Sequence, residues 1–115
     1  MNQKNFKLAS EMYFEALNEK DLDKLAGLYH PHIELQDWND TWCDSPVVLQ
    51  MNEGLFEADL QFELLICNQI ENITYNHILI HTPGKPTNTM KVIDVIHWDD
   101  NFKITKIEAD RKSVV

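Results

Sequence analysis

The chain contains 115 residues, of which 43% are hydrophobic and 25% are charged, so we expect one globular domain over residues 1–115. Its formal net charge of −9 opposes nucleic acid and anionic membranes as partners, because both attract clusters of Lys and Arg. It contains no run of the roughly 18 consecutive apolar residues that a membrane span requires. Since the N-terminus lacks the continuous apolar run of a secretory signal, we expect a cytoplasmic protein.

Two helices are predicted near the N-terminus. The first extends from about Phe6 to Asn18, because good helix formers there carry apolar residues at helical spacing. Asp21 is a suitable N-cap for a second, short helix, which should end before Pro31. The apolar stripe of the first helix consists of Ala9, Met12, Tyr13, Ala16 and Leu17.

A strand follows the second helix. Residues 33–38, IELQDW, alternate so that Ile33, Leu35 and Asp37 share one face. A carboxyl group therefore stands where a third core residue is expected. The polar residues 39–44 predict a loop after this strand.

A third helix is predicted beyond this loop. Ser45 and Pro46 supply a cap and a first-turn proline, and the helix should continue to about Glu57. Its apolar side consists of Val48, Met51, Leu55 and Phe56.

The remainder of the chain has the pattern of a sheet. Beyond Leu60, alternating segments rich in β-branched residues predict four antiparallel strands. Between Ile104 and Ile107 the apolar spacing shifts, which predicts a bulge. We therefore expect an α+β fold in which a strongly curved, mixed but mainly antiparallel sheet forms a cone around the three N-terminal helices and encloses a pocket.

The segment KVIDVIHW places an acid in the middle of an apolar row. Met90, Val92, Asp94, Ile96 and Trp98 share one face of the predicted strand. Isolating an ionised carboxylate in a low dielectric is so costly that a buried acid raises its pKa instead. A buried Asp94 could therefore be neutral at pH 7 and donate a hydrogen bond.

Three polar side chains are predicted to face the interior together: Tyr13, Asp37 and Asp94. A phenol and a neutral carboxylic acid that converge on one point would form an oxyanion hole, and a second carboxylate could move protons on a bound carbonyl compound. Each residue also has a structural interpretation. Tyr13 could be a core residue, Asp37 a turn or cap residue, and Asp94 the partner of a buried His or Lys.

The segments YFEALNEKDLDKLAGLYHPHIELQDW and VIDVIHWDDNFKI resemble the nuclear transport factor 2-like superfamily, and most closely its ketosteroid isomerases and SnoaL-like polyketide cyclases. In the isomerases, the matching residues imply that Tyr13 and Asp94 hold the enolate oxygen and that Asp37 is the base. In a cyclase, Asp94 could act alone as acid and base. Trp38 replaces the usual proline after the base, and Leu55 and Phe56 stand where the isomerases carry another tyrosine, which argues against a steroid substrate.

The superfamily also includes epoxide hydrolases, in which an arginine bridges two aspartates. Arg111 is the only arginine here and lies near the C-terminus, so that mechanism is poorly supported. His30 and His32 lack a carboxylate motif that would complete a metal site, and we predict neither a metal nor a cofactor. The predicted ligand contacts are Trp38, Met51, Leu55, Phe56, Met90, Val92 and Ile96.

Two hypotheses follow. The first is a cofactor-independent isomerase or cyclase that acts on a small apolar carbonyl compound. The second is a module that binds an apolar ligand without turnover or serves mainly for dimerisation. Leu79, Ile93 and Val95 should lie on the outer face of the sheet, and they predict a homodimer through that face under either hypothesis.

Overall fold

The computed structural model describes residues 4–84 and 89–111, and within them it contains three helices and six strands. The elements in chain order are α1 (Phe6–Glu19), α2 (Leu22–Leu28), β1 (Tyr29–Gln36), β2 (Thr41–Cys43), α3 (Ser45–Glu57), β3 (Gln61–Ile70), β4 (Ile73–His81), β5 (Thr89–Trp98) and β6 (Ile104–Arg111). None of the helices in these described ranges has the length and hydropathy needed to cross a membrane.

The predicted helices are present, with small differences at their ends. Asp21 caps α2, as expected, because its carboxylate accepts a hydrogen bond of 3.1 Å from the Lys24 backbone N–H. Ser45 is the first residue of α3 instead of its cap. The N-cap position belongs to Asp44, whose side chain makes no capping hydrogen bond.

The region around the first strand differs from the prediction. β1 begins at Tyr29 and continues past Pro31 to Gln36. Its pairing with β6 is irregular between Tyr29 and Glu34, where the register shifts. Pro31 lies within that irregularity, where a missing N–H is tolerated. The expectation of a loop over residues 39–44 is wrong in part, since residues 41–43 form β2 and pair antiparallel with β1.

The six strands form one mixed sheet in the order β2-β1-β6-β5-β4-β3. β1 and β6 are parallel, and all other neighbouring strands are antiparallel, as the predicted fold class requires. The β3–β4 register shifts between Leu64 and Ile66, and the β5–β6 register shifts where Thr105 is skipped between Ile104 and Lys106. The second shift confirms the predicted bulge, and such bulges bend and twist a sheet.

The helices dock at separate places on the inner face of this sheet. α1 packs mainly on β3 and α3 packs on β1, and these two strands lie on opposite sides of the central strands β5 and β6 in the sheet order. The buried core lies between these layers. Its largest fully buried apolar side chains are Phe6, Leu25, Ile33, Val48, Ile78, Val92, Ile96, Ile104 and Ile107.

Two side-chain amides fasten the ends of α1 to β3. At the C-terminal end, Asn18 donates to the Phe62 carbonyl at 2.8 Å and accepts from the Phe62 N–H at 2.7 Å. At the N-terminal end, Gln69 accepts from the Phe6 N–H at 2.9 Å and donates to the Lys4 carbonyl at 2.8 Å. Each amide thus satisfies one donor and one acceptor of the backbone, which sets the position of α1 along the strand.

The clamp at Asn18 can be tested by mutation. We expect Asn18→Ala to lower the free energy of unfolding by about 1–3 kcal/mol, because the N–H and the carbonyl of Phe62 each lose a hydrogen-bond partner. Urea denaturation measures the change. Glu11→Ala on the exposed side of the same helix is the control and should change stability by less than about 0.5 kcal/mol. Equal losses in the two variants would contradict the clamp.

Candidate functional site

A cavity of about 310 Å³ lies between the helices and the inner face of the sheet. Tyr13 from α1, Asp94 from β5 and Asp37 from the end of β1 all line it, together with mainly apolar side chains. Residues that are far apart along the chain therefore meet in one hollow. Among the described residues that line it, two are acidic and none is Lys, Arg or His.

Asp94 is the buried acid of this cavity. It lies on the inner face of β5 between the fully buried Val92 and Ile96, and 7% of its surface is exposed. Burial raises its pKa from the ordinary 3.8 to about 7, because the ionised form loses the water that would stabilise it. Within residues 4–84 and 89–111, no side chain or backbone group donates a hydrogen bond to the carboxyl. Near pH 7 a large fraction of Asp94 is therefore a neutral hydrogen-bond donor.

Tyr13 supplies a second donor. Its pKa is raised well above 10 because the side chain is buried, with smaller contributions from Tyr29 and from Asp94. Tyr13 consequently keeps its proton at any physiological pH. The phenol and the Asp94 carboxyl line the same cavity.

Tyr29 and Asn52 form a buried hydrogen-bonded pair next to Tyr13, and neither was among the predicted site residues. The Tyr29 hydroxyl donates to the Asn52 side-chain oxygen at 2.6 Å, and both groups are buried. Because this bond uses the only proton of Tyr29, its oxygen can accept from the Tyr13 hydroxyl, and the two ring centres are 6.5 Å apart. Tyr13 has one proton, so it must turn that proton away from Tyr29 to donate to a ligand. Asn52 could have been found from its spacing, since it stands four residues after Val48 in the apolar stripe of α3.

Asp37 lies at the cavity but is not on the inner face of a strand. β1 ends at Gln36, and the Asp37 carboxylate accepts from the backbone N–H groups of Asn39 at 2.7 Å and Asp40 at 2.8 Å. Its own N–H donates to the Asp40 carbonyl at 3.0 Å. Asp37 thus closes the turn into β2 with one oxygen, Oδ1. β1 ends at Gln36 instead of continuing to Trp38 as predicted, but Asp37 lines the cavity on the same side as Leu35, as expected.

Trp38 and Arg111 lie together near this turn. Trp38 lines the cavity with 37% of its surface exposed, and the Arg111 guanidinium lies 5.6 Å from the centre of the indole ring. This distance is typical of a cation–π contact. Arg111 is the last residue of β6 and is not among the described residues that line the cavity, so it does not bridge Asp37 to Asp94.

Five of the seven predicted ligand contacts line the cavity, and two lie elsewhere. Ile96 is fully buried in the core beyond Asp94, where no cavity surface remains. Phe56 packs against the core from the last turn of α3. The lining includes Trp38, Met51, Leu55, Met90 and Val92 as predicted, and Trp42 of β2 in addition.

Comparison with known proteins shows similarity only at the level of three-dimensional structure. No family model matches the sequence, and no curated protein matches it. A protein from Kribbella flavida that is named as a ketosteroid isomerase superposes with a TM-score of 0.81 at 10% identity, over 92% of this chain and 76% of that chain. A protein of unknown function from Cytophaga hutchinsonii, described as like nuclear transport factor 2, gives 0.81 at 13% identity, over 96% and 93%.

A third solved structure is that of a protein from Sinorhizobium meliloti that is named as a polyketide cyclase. It superposes with a TM-score of 0.78 at 17% identity, over 85% of this chain and 89% of that chain. Such low identities establish the architecture and leave the chemistry to the residues of the site. The chain therefore has the fold of the nuclear transport factor 2-like superfamily, which it shares with proteins named as ketosteroid isomerases and polyketide cyclases.

Proposed function

We propose that the protein is a cofactor-independent proton-transfer enzyme, of the ketosteroid isomerase or polyketide cyclase type, that acts on a small neutral carbonyl compound. The observation that carries the proposal is that the buried Asp94 and Tyr13 line one apolar cavity. Tyr13 keeps its proton at neutral pH, a large fraction of Asp94 is protonated there, and no described cation lines the cavity to hold either group ionised.

The proposed reaction uses Tyr13 and Asp94 as donors to one oxygen atom. A carbonyl oxygen at the polar end of the cavity accepts from both, and removal of the proton from the adjacent carbon converts the carbonyl into an enolate. Negative charge then develops on the oxygen to which the two donors point. One such donor typically contributes about 2.7–4 kcal/mol of transition-state stabilisation.

Asp37 is the proposed base. Its Oδ1 is held by the turn, and its half-buried carboxylate lines the same cavity as the two donors. Because the turn orients this group, the substrate does not have to order it. In the cyclase variant of the proposal, Asp94 itself takes up and returns the proton, and a pKa near 7 suits that exchange at neutral pH.

The lining limits the substrate. An apolar surface with two acids and, among the described residues, no basic side chain disfavours carboxylates and phosphates. At about 30 Å³ for each water molecule in the liquid, a cavity of 310 Å³ holds roughly ten water volumes. A neutral ketone with one or two rings fits both limits.

A second candidate is a module that binds such a compound without turnover. The engagement of Asp37 in its turn favours this candidate, because its Oδ1 already accepts two backbone N–H groups and only Oδ2 is left for a substrate proton. The same donors would then bind a carbonyl ligand and release it unchanged.

We further propose a homodimer through the outer face of the sheet. In the register of the strands, Ile66 pairs with His77 and His77 pairs with Ile93, so two isoleucines flank one histidine near Leu79 and Val95. Ile66 leaves 53% of its surface exposed in the single chain. Association of two such faces would remove this surface from water. The cytoplasmic location remains a prediction from the sequence.

Ligand binding should depend on the protonation of Asp94. We expect its carboxyl carbon to titrate near pH 7 by NMR, instead of near the ordinary value of about 3.9. Binding of 1-tetralone, followed by the fluorescence of Trp38 and Trp42, should be strongest below pH 6 and weaken as Asp94 ionises. Asp94→Asn keeps a neutral donor and should bind independently of pH. A midpoint near pH 4 would contradict the proposed donor.

Catalysis can be separated from binding by hydrogen exchange. We expect the protein to accelerate exchange of the protons next to the 1-tetralone carbonyl with deuterium from D₂O, measured by proton NMR. Tyr13→Phe should slow this exchange about 100- to 1,000-fold, and Asp37→Asn about 100- to 10,000-fold. If the wild-type protein binds 1-tetralone without accelerating exchange, the binding module is the correct candidate.

The dimer can be tested with charges on the two sides of the molecule. We expect sedimentation to give the mass of two chains for the wild-type protein and of one chain for Ile66→Glu, since a charge would be buried in the interface. Leu8→Glu is the matched control, because Leu8 is 56% exposed on α1 and should not affect association. A wild-type protein that sediments as one chain at every concentration would exclude the dimer.

A further inference from the structure

Asn76 is a fully buried amide on the inner face of β4, with 0% of its surface exposed. Its Nδ2 donates to the Thr74 carbonyl at 3.3 Å, to the Thr74 hydroxyl at 3.2 Å and to the Asp94 backbone carbonyl at 3.1 Å. Its Oδ1 is buried as well, and no hydrogen bond reaches it from residues 4–84 and 89–111. A buried acceptor without a donor costs about 1–3 kcal/mol, so this atom needs an explanation.

Exchanging the nitrogen and oxygen of the amide does not remove the problem. Two of the three partners of Nδ2 are the backbone carbonyls of Thr74 and Asp94, which can only accept. An oxygen in that position would face two other oxygens. The nitrogen must therefore point toward these carbonyls, and the oxygen must point away from them.

The nearby hydroxyl and indole donors are already engaged. The Thr74 hydroxyl accepts from the Trp98 indole at 3.1 Å and from Asn76 Nδ2, so it donates to the Ser10 hydroxyl at 2.8 Å. The Ser10 proton is left for the Cys67 thiol. On the cavity side, Asn76 is paired directly with Asp94 in the β4–β5 register, and both side chains stand on the inner face. The Cβ atoms of such cross-strand pairs are about 4.5–5.5 Å apart, so the carboxyl can reach the amide oxygen.

Asn76 and Asp94 are therefore complementary as hydrogen-bond acceptor and donor. Oδ1 of Asn76 is an acceptor without a donor, and the neutral Asp94 carboxyl is a donor that no other described group engages. The ionised carboxylate would instead place its charge against the negative end of the amide dipole. The other described titratable groups on the side of Asp94 are Tyr13 from α1 and Tyr29 from β1, which keep their protons, and Asp37, which lines the same cavity.

We propose that Asn76 is a positioning residue for Asp94, whose carboxyl hydroxyl donates to Asn76 Oδ1 when the cavity is empty. The bond holds the acid in its protonated form and in one rotamer, from which the hydroxyl turns to the ligand oxygen. A carbonyl ligand then competes with Asn76 for the same proton. This inference rests on the proposed function only in taking Asp94 as a neutral donor.

The variant Asn76→Thr tests the inference. Threonine keeps a small polar side chain, but its hydroxyl can donate to an ionised carboxylate, which Oδ1 of asparagine cannot do. We therefore expect the Asp94 pKa, measured by carbon NMR, to fall by about one unit, which is a tenfold change in its protonation equilibrium. The pH midpoint of 1-tetralone binding should fall by the same amount.

Thr74→Val is the matched control. It removes hydroxyl hydrogen bonds from the same buried cluster without changing Asn76 Oδ1, so it should lower stability and move the Asp94 pKa by less than about 0.3 unit. If both variants lose stability and neither moves the pKa, Asn76 has only a structural role and the inference fails.

The wild-type protein provides a second measurement that does not depend on how the variants fold. The side-chain carbonyl carbon of Asn76 should change its chemical shift with the same midpoint as Asp94, and an unchanged shift would overturn the inference. A wild-type Asp94 that titrates near pH 4 would overturn both this inference and the proposed donor. A wild-type midpoint near pH 7 that Asn76→Thr leaves in place would overturn only the role of Asn76.

Discussion

The site depends on the docking of α1 and α3 on the same inner face of one bent sheet, each toward a different edge. α1 is fastened to the edge strand β3 by Asn18 and Gln69, while α3 packs on β1 toward the other side. The strands between them, β5 and β6, contribute Val92, Asp94 and Ile107 to the lining of the cavity. The apolar rows of these central strands therefore border a cavity, and Asp94 lies in one of those rows.

The two acids of the cavity have different properties because their surroundings differ. Asp94 has no described hydrogen-bond donor, and burial makes its charged form costly. Asp37 accepts two backbone N–H groups at the β1–β2 turn, which fix the direction of its carboxyl group. One site thus combines a buried acid that has no described donor with an acid that the backbone holds in place.

Periodicity predicted the elements of this site well, because helix and strand patterns are local. The stripe of α1 placed Tyr13 inside, and the alternation of KVIDVIHW placed Asp94 inside. The same reasoning failed where β1 ends, since nothing in IELQDW shows that the strand stops at Gln36 and turns back through β2. Side-chain hydrogen bonds of Asp37 to residues two and three positions later decide that turn.

The sequence by itself determined the α+β class, the three helices, the inward direction of Tyr13 and Asp94, and the bulge in β6. All of these follow from spacings of a few residues. The placement of Tyr29 and Asn52 near Tyr13, and of Asn76 opposite Asp94, appears only in the folded chain. These contacts depend on strand register and helix docking, which join residues 16 or more positions apart and leave no periodic trace in the sequence.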